Sequence, residues 1–477
     1  MRRLLLKTLV SRLTVPALLV LSAPVVALAT PYVASDPAVS TGSEEWSPPA
    51  APPPVGQLSY DPLARYAMAA QFITTLQVAD TSAGAYGGMR EGEHMLDVIQ
   101  TDNTSESIWI WSHYYALTGS DLYGDNVDAA WVYCMNNKAY EEEGDDSPTT
   151  GYYRRYNCAW ALRAVIEYEN VYGDAAYSAY GDSCASYLCH NPMILNYPTG
   201  TPRRLNGQIM AWAVGNLYEY GLHRGNPTFV AKSLATADTV KTWVDANLNK
   251  FHWREWAMDG GVVMWGLVHS TFAADPTGLE TWVAAGAPYL DAEVDTSAGA
   301  YQNAWRAWAA LGQSTAAGVL DSPVYSGYFQ HLADTLVAND GDLDGGIPVL
   351  DPEPDTYDQS WVTNYLGFMC LDRMLATAGA PSATAARGGL KVTVAPMPSA
   401  GLPTLRFNLD EARAVSVSVY DAAGRAVATR DAGILGAGAH SIDLGSALSA
   451  RSCAPGIYFY EVRSGGAAAR GKLVVLR

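Results

Sequence analysis

Six stretches of this 477-residue chain share one design, a polar run followed about a turn later by tryptophan. They read TDNTSESIWIW from Thr101, GYYRRYNCAW from Gly151, RRLNGQIMAW from Arg203, MDGGVVMW from Met258, AYQNAWRAW from Ala300 and TYDQSWVTNY from Thr356. The indoles are Trp109, Trp160, Trp212, Trp265, Trp305 with Trp308, and Trp361. Any one of them reads as ordinary core. Their recurrence says that six helices hold equivalent positions. Apolar residues three and four apart predict these helices near Thr104–Thr118, Gly151–Val171, Leu205–Glu219, Gly260–Phe272, Ala300–Leu311 and Asp358–Ala378. The same period predicts six more near Ser59–Leu76, Tyr123–Lys138, Ala175–Leu188, Pro227–Asn247, Leu279–Leu290 and Ser322–Val337. Twelve helices make six hairpins. The predicted fold is an all-α (α/α)6 toroid over residues 59–378, with the tryptophan-bearing helices as its inner ring.

The heptapeptide DTSAGAY supports a repeat. It occurs at Asp80–Tyr86 and at Asp295–Tyr301, 215 positions apart, which is four hairpins of about 54 residues. Connection lengths then break the symmetry between the two ends of the ring. Chains leaving the inner helices are mostly short (Gly119–Leu122, Tyr172–Asp174, Ala273–Gly278). Chains leading into them are long, as in Gln77–Asn103, Ala139–Thr150, Cys189–Arg204, Lys250–Asp259, Asp291–Gly299 and Ala338–Tyr357. Long loops on a rigid scaffold usually carry function, so the mouth is expected at the amino ends of the inner helices.

The flanks have other characters. Arg2, Arg3, Lys7 and Arg12 precede apolar Val15–Val26 and then Ala27-Leu28-Ala29, the pattern of a signal peptide over residues 1–29. Pro16 and Pro24 and the short apolar run argue against a membrane anchor, and no transmembrane span is expected after cleavage. Residues 30–58 form a Pro/Ala-rich linker and residues 379–390 a small-residue one. Beyond it the period becomes two, in Val415–Tyr420, Ile457–Val462 and Leu473–Leu476, which predicts a small all-β Ig-like sandwich over residues 391–477. A formal net charge of −18 argues against nucleic acid as a partner. Six cysteines in an exported chain allow 15 pairings, and sequence does not choose among them.

Two resemblances follow from these residues. Gln71-Phe72-Ile73-Thr74-Thr75-Leu76-Gln77 before a glycine-rich loop is similar to repeats of the prenyltransferase-like toroids. The twelve-helix count resembles the six-hairpin glycosidase and polysaccharide-lyase barrels. No DxDD or DDxxD run is present, which disfavours cyclase chemistry. The resemblance implies an exported carbohydrate-active enzyme with its cleft at the inner-helix amino ends. In the tail, Ala395-Pro396-Met397-Pro398-Ser399, Leu405-Arg406-Phe407-Asn408-Leu409, Val419–Arg425, Pro455–Phe459 and Lys472–Leu476 follow in order. They resemble the sorting domains of type IX secretion cargo and the Ig-like module of hook-capping proteins, with Met397-Pro398 in place of the usual Asn-Pro. That implies delivery to the surface of a Gram-negative-type envelope or beyond, with the outer-membrane secretion machinery as partner.

Glycoside hydrolysis needs two carboxyl groups across one cleft, one protonated and one ionised. Asp102 and Glu106 lie i, i+4 on one helical face, and ring closure brings Asp358 of the last inner helix toward them. These three form the expected catalytic set. An N-cap or a helix-dipole role competes for each. Tyr152, Tyr153, Tyr301 and Trp361, with Trp253 and Trp256, offer ring faces for sugars. Asn206, Gln208, Asp259 and Gln302 offer polar contacts at the same end. Arg154, with Arg155, Arg203 and Arg204, would suit uronate carboxylates and a lyase. The acidic run Glu141-Glu142-Glu143-Gly144-Asp145-Asp146 would repel a polyanion, so a hydrolase leads and a lyase or a non-catalytic glycan- or protein-binding toroid follows.

Asp340-Gly341-Asp342-Leu343-Asp344-Gly345 matches the opening of a calcium loop, with oxygen ligands at positions 1, 3 and 5 and glycine at 6. Position 12 is Asp351 where an EF-hand has glutamate. A structural Ca2+ held by Asp340, Asp342, Asp344 and Asp351 is the one cofactor expected. No GxSxG, phosphate loop or HExxH occurs, and His113, His190, His252 and His269 read as polar or packing residues.

Overall fold

A computed structural model describes residues 55–56, 58–141, 152–191, 204–252, 258–294, 301–350, 355–377, 392–395, 404–409, 412–421, 426–444, 456–464 and 467–475. The proposed signal peptide, all of the 30–58 linker but residues 55, 56 and 58, and the linker at 379–390 lie outside these residues, as does Cys453. The helices are α1 (Pro62–Leu76), α2 (Thr101–Thr118), α3 (Gly124–Asn136), α4 (Tyr152–Tyr172), α5 (Ser178–His190), α6 (Arg204–His223) and α7 (Pro227–Asp245). They continue with α8 (Gly260–Val268), α9 (Thr271–Ala274), α10 (Leu279–Gly286), α11 (Gln302–Leu320), α12 (Pro323–Ala338), α13 (Ser360–Tyr365) and α14 (Asp372–Thr377). All twelve expected helices are present. The fourth pair is interrupted at Ser270, giving α8 and α9, and the last inner helix passes through a π-helical stretch, Leu366–Leu371, between α13 and α14.

The inner helices touch in sequence, α2 to α4, α4 to α6, α6 to α8, α8 to α11, α11 to α13, and α13 back to α2. That closes the ring. α3, α5, α7 and α12 each pack on the inner helix next to them in the chain. The protein therefore contains an (α/α)6 toroid, as the tryptophan spacing predicts. The tryptophans are its axis: Trp160 and Trp212 have centroids 4.8 Å apart, Trp212 and Trp265 4.8 Å, and Trp212 and Trp308 5.3 Å, with Phe368 of the π-helical stretch 5.4 Å from Trp160. Trp109, Trp160, Trp212, Trp265 and Trp308 are fully buried. A buried indole removes roughly 150–250 Å² from water, so this stack is a large part of what holds the ring.

Small residues let the inner helices approach at backbone distance. A Cβ added at Gly266 of α8 would lie 2.1 Å from the Ala211 carbonyl oxygen of α6, and one at Gly261 would lie 2.2 Å from that of Trp308. The obstacle is backbone, which cannot swing aside. Gly266→Ala is expected to cost about 1–3 kcal/mol by overpacking, read as a lower midpoint in urea or thermal unfolding.

One element departs from the sequence reading. The long connection Gln77–Asn103 contains an antiparallel hairpin, β1 (Met89–Gly92) and β2 (Met95–Gln100). β1 lies against the starts of both α2 and α13. The Met89 amide donates to Thr104 Oγ1 at 3.0 Å, Ser360 Oγ donates to the Arg90 carbonyl at 2.8 Å, and Gly92 bridges to Gln359. The first DTSAGAY copy is a turn capped by Asp80, which accepts from Ser82. Of the second copy only Tyr301 is described.

The carboxyl-terminal strands form two antiparallel sheets. One has the order β3 (Val392–Ala395), β4 (Thr404–Leu409), β7 (Gly438–Asp443). The other has the order β6 (Ala426–Leu435), β5 (Arg413–Asp421), β8 (Gly456–Ser464), β9 (Ala467–Val475). Alternate residues Val415, Val417 and Val419 of β5 and Tyr458, Tyr460 and Val462 of β8 share one core with Leu405, Phe407 and Leu409 of β4, which accounts for the period of two. Cys134, Cys158, Cys184 and Cys370 are buried thiols and Cys189 is half-buried. No helix among the described residues is long and apolar enough to cross a membrane.

Candidate active site

The amino ends of the inner helices gather carboxylates, tyrosines and amides. Asp102, in the first turn of α2, is 5% exposed. Its Oδ2 accepts from the Tyr153 hydroxyl of α4 at 2.8 Å and its Oδ1 from the Asn103 amide at 2.8 Å. Burial raises its pKa to about 6, and the Tyr153 and Asn103 hydrogen bonds oppose that rise. Glu106, one turn on, accepts from the Tyr156 hydroxyl at 3.2 Å and from Asn364 Nδ2 of α13 at 3.4 Å. Burial and then the Asp102 charge push Glu106 well above the usual carboxylate range, and the Asn364 and Tyr156 hydrogen bonds oppose that rise. Tyr156 also shares a short hydrogen bond with Tyr365. The i, i+4 pair is therefore assembled as its spacing predicts, and α13 does reach it, through Asn364.

A third acid at this end was invisible to helix-based reasoning. Glu91, on β1, has a buried Oε2 that accepts no hydrogen bond. Burial first, and the Asp102 charge second, raise its pKa to about 7. Its only sequence signal is an acid within a short hairpin of mixed pattern, in a stretch read as loop.

Asp358 keeps different company. It is 2% exposed, its Oδ1 has no hydrogen-bond partner, and its pKa rises to about 8 through burial and then through Asp344, Glu93, Asp342 and Asp340. The hairpin explains this. β1 fills the seam between α2 and the Asp358–Ser360 segment, with the Glu93 amide donating to the Asp358 carbonyl at 3.0 Å.

The remaining expected contact residues divide. Tyr301 and Trp361 are both buried, with rings tilted and centroids 6.1 Å apart, and Trp361 lies 5.5 Å from Tyr365 and donates to Gln359 Oε1. Tyr152 and Tyr153 are half-buried at the start of α4. Arg154 donates to the Glu141 carbonyl at 2.9 Å, and Arg155 to that of Asn191. Asp259 is wholly buried and caps α8 by accepting from the Gly261 amide at 2.6 Å. Gln208 donates to the Met258 carbonyl at 3.3 Å and Gln302 to that of Val294 at 3.0 Å, so both hold loops. The side chains of Asn206 and Arg204, and all of Arg203, Trp253, Trp256, Asp351 and the run Glu142–Asp146, lie outside the described residues.

With this geometry in hand, comparison with known proteins adds two things. Residues 393–476 match the family model of the secretion system C-terminal sorting domain. The tail resemblance is thereby borne out, and the chain is a secreted or cell-surface protein. No curated protein matches the chain. Among solved structures it is similar to the GH76A alpha-1,6-mannanase of Salegentibacter sp. HEL1_6, at 13% identity over 66% of this chain and 99% of that one, with a TM-score of 0.49. It is also similar to a GH76 alpha-mannanase of Bacteroides thetaiotaomicron, at 10% identity over 67% and 99%, with a TM-score of 0.47. Cellobiose 2-epimerase of Spirochaeta thermophila gives 12% identity over 66% and 97%, with a TM-score of 0.45.

Proposed function

We propose that the protein is an exported glycoside hydrolase that works at the amino ends of α2 and α4. The observation that carries this reading is a pair of carboxyl groups brought to one end of the ring and perturbed together, burial raising Asp102 to about 6 and burial with the Asp102 charge raising Glu91 to about 7. With Glu91 the more strongly raised, the reacting state has Asp102 ionised and Glu91 neutral, the arrangement that glycosidic cleavage requires. Glu91 donates its proton to the departing glycosidic oxygen. Asp102, oriented by the Tyr153 hydroxyl, serves the opposite face of the sugar as base or nucleophile. A carboxyl separation of about 5–5.5 Å would make it the nucleophile, and about 6.5–9.5 Å would leave room for water. Glu106, fixed by Tyr156 and Asn364, sits one turn beyond Asp102, where burial favours its protonated form. Tyr152 and Tyr153, half-buried at the start of α4, supply ring faces for sugar.

A lyase on uronate-containing glycan is the second reading, and of the arginines that would serve it the two with described side chains are engaged elsewhere. Arg154 and Arg155 hold loop carbonyls through Glu141 and Asn191. The test is a glycan panel read two ways. New reducing ends without ultraviolet absorbance support hydrolysis. Absorbance of an unsaturated uronate would replace it with elimination, and binding without product would replace both with a carbohydrate-binding toroid.

A further inference from the structure

The loop between α12 and α13 gathers carboxylates in a way the proposed reaction does not use. One carboxylate oxygen from each of Asp340, Asp342 and Asp344 lies within 4.8 Å of the others. An acidic cluster alone says little, since such groups often sit in water. Here a fourth carboxylate is buried beside it, outside that 4.8 Å group but close enough for the charges of Asp344, Asp342 and Asp340 to act on it. Asp358 is 2% exposed, its Oδ1 accepts no hydrogen bond, and its Oδ2 lies 2.3 Å from where a Cβ on Gly346 would stand. Gly346 follows Asp344 by two residues and donates its amide to Asp344 Oδ1 at 2.8 Å. Asp358 also bridges to Pro348 through the backbone, so its side chain is fixed against the loop. Asp340 is 5% exposed; Arg65 of α1 takes its Oδ2 at 2.6 Å, while its Oδ1 is buried without a partner.

The charges do not balance. Four aspartates, with Glu93 acting on Asp358 from the hairpin turn, face one cation among the described residues, Arg65. A buried carboxylate with nothing to accept from costs several kcal/mol unless it is protonated or meets a positive ion. Several oxygen ligands on a short loop, with Gly345 at φ +102° letting it turn under α1, suit a hard cation of flexible coordination.

We propose that Asp340, Asp342 and Asp344 bind one calcium ion, with the buried Asp358 carboxylate beside them as its counter-charge. The site differs from a helix–loop–helix site, because its fourth carboxylate is a buried neighbour from a bridged segment and not a ligand from a following helix. Calcium then ties the α12–α13 loop to the segment that pairs with β1 through Gly92–Gln359 and Glu93–Asp358. Its effect would pass to Glu91, which β1 carries.

The test uses the full chain, stripped with chelator and titrated with CaCl2, with MgCl2 and NaCl at matched ionic strength as controls. Thermal midpoint and tryptophan-sensitised terbium emission are followed, neither of which needs activity. Calcium should raise the midpoint by about 3 °C or more at saturating concentration, and calcium should displace terbium. Magnesium, which demands a tighter octahedron, should not reproduce the rise. The exposed pair Asp342→Asn/Asp344→Asn should weaken calcium at least tenfold while the chelated protein unfolds no earlier than wild type. Asp358→Asn, if it folds, should do the same. Equal responses to the three salts, or an unchanged calcium response in the double variant, would overturn the site. Neither result bears on Glu91 and Asp102 as the reacting pair, which the glycan panel reads separately.

Discussion

His113→Ala is expected to lower stability by about 3–5 kcal/mol, the penalty for leaving buried charge without its partner. His113 is fully buried on α2, between Glu167 of α4 and Asp372 of α14, with Nδ1 and Nε2 each 2.8 Å from a carboxylate oxygen. Burial pulls its pKa down, but Asp372 and Glu167 outweigh burial and raise it to about 10. The imidazole is thus a cation joining three inner helices, stacked 4.5 Å from Trp109. The sign of its pH dependence follows. A folded pKa above the unfolded value of about 6.5 means that this stability is complete below pH 6.5 and lost as pH rises through 10. Asp372 behaves oppositely, because its pKa is lowered despite burial, through His113 first, so its contribution fades as pH falls. Thermal unfolding at pH 7 should show a midpoint lower by about 10 °C in the variant. The difference from wild type should shrink toward pH 10. A variant as stable as wild type at pH 7 would mean that the histidine is not charged.

The second large effect is on turnover. Asp102→Asn should reduce kcat by about a thousandfold or more, with binding of the glycan retained, because only the ionised oxygen is removed. The thermal midpoint should hold or rise, since a buried charge disappears. Wild-type kcat/KM should follow a bell whose limbs fall near pH 6 and pH 7, with Asp102 ionising on the acid side and Glu91 losing its proton on the alkaline side. Glu91→Gln should remove the alkaline limb. If Asp102→Asn remains fully active on the glycan that wild type cleaves, the pair is misassigned.

The ring was legible from sequence because its cause is local. Each inner helix must present a polar start to the mouth and an indole to the axis, and that double demand recurs at Trp109, Trp160, Trp212, Trp265, Trp308 and Trp361. The β-strands of the tail were legible for the same reason, through alternation in Val415–Val419 and Tyr458–Val462. The hairpin was not. Met95-Leu96-Asp97-Val98-Ile99 alternates poorly, and β1 is held less by its own pattern than by Thr104 and Ser360, which are remote in sequence. Missing it hid Glu91 and moved Asp358 from Asp102 toward the aspartate loop. His113, read as a polar or packing residue, sits in an ionic hub that sequence did not show, because Glu167 and Asp372 lie 54 and 259 positions away.

The seam between α13 and α2 also governs how the ring can be completed. Its contacts join residues such as Asn364 and Ser107, 257 positions apart. Until α13 exists as a helix, α2 has an open flank and the buried Glu106 and Asp372 lack their partners. The circle cannot be half stable in the way an open stack of repeats can. Cutting the chain on the far side, between α7 and α8, and joining the old ends would make that late contact an early one. Such a permuted chain would keep every neighbour in place while changing only the order in which they meet.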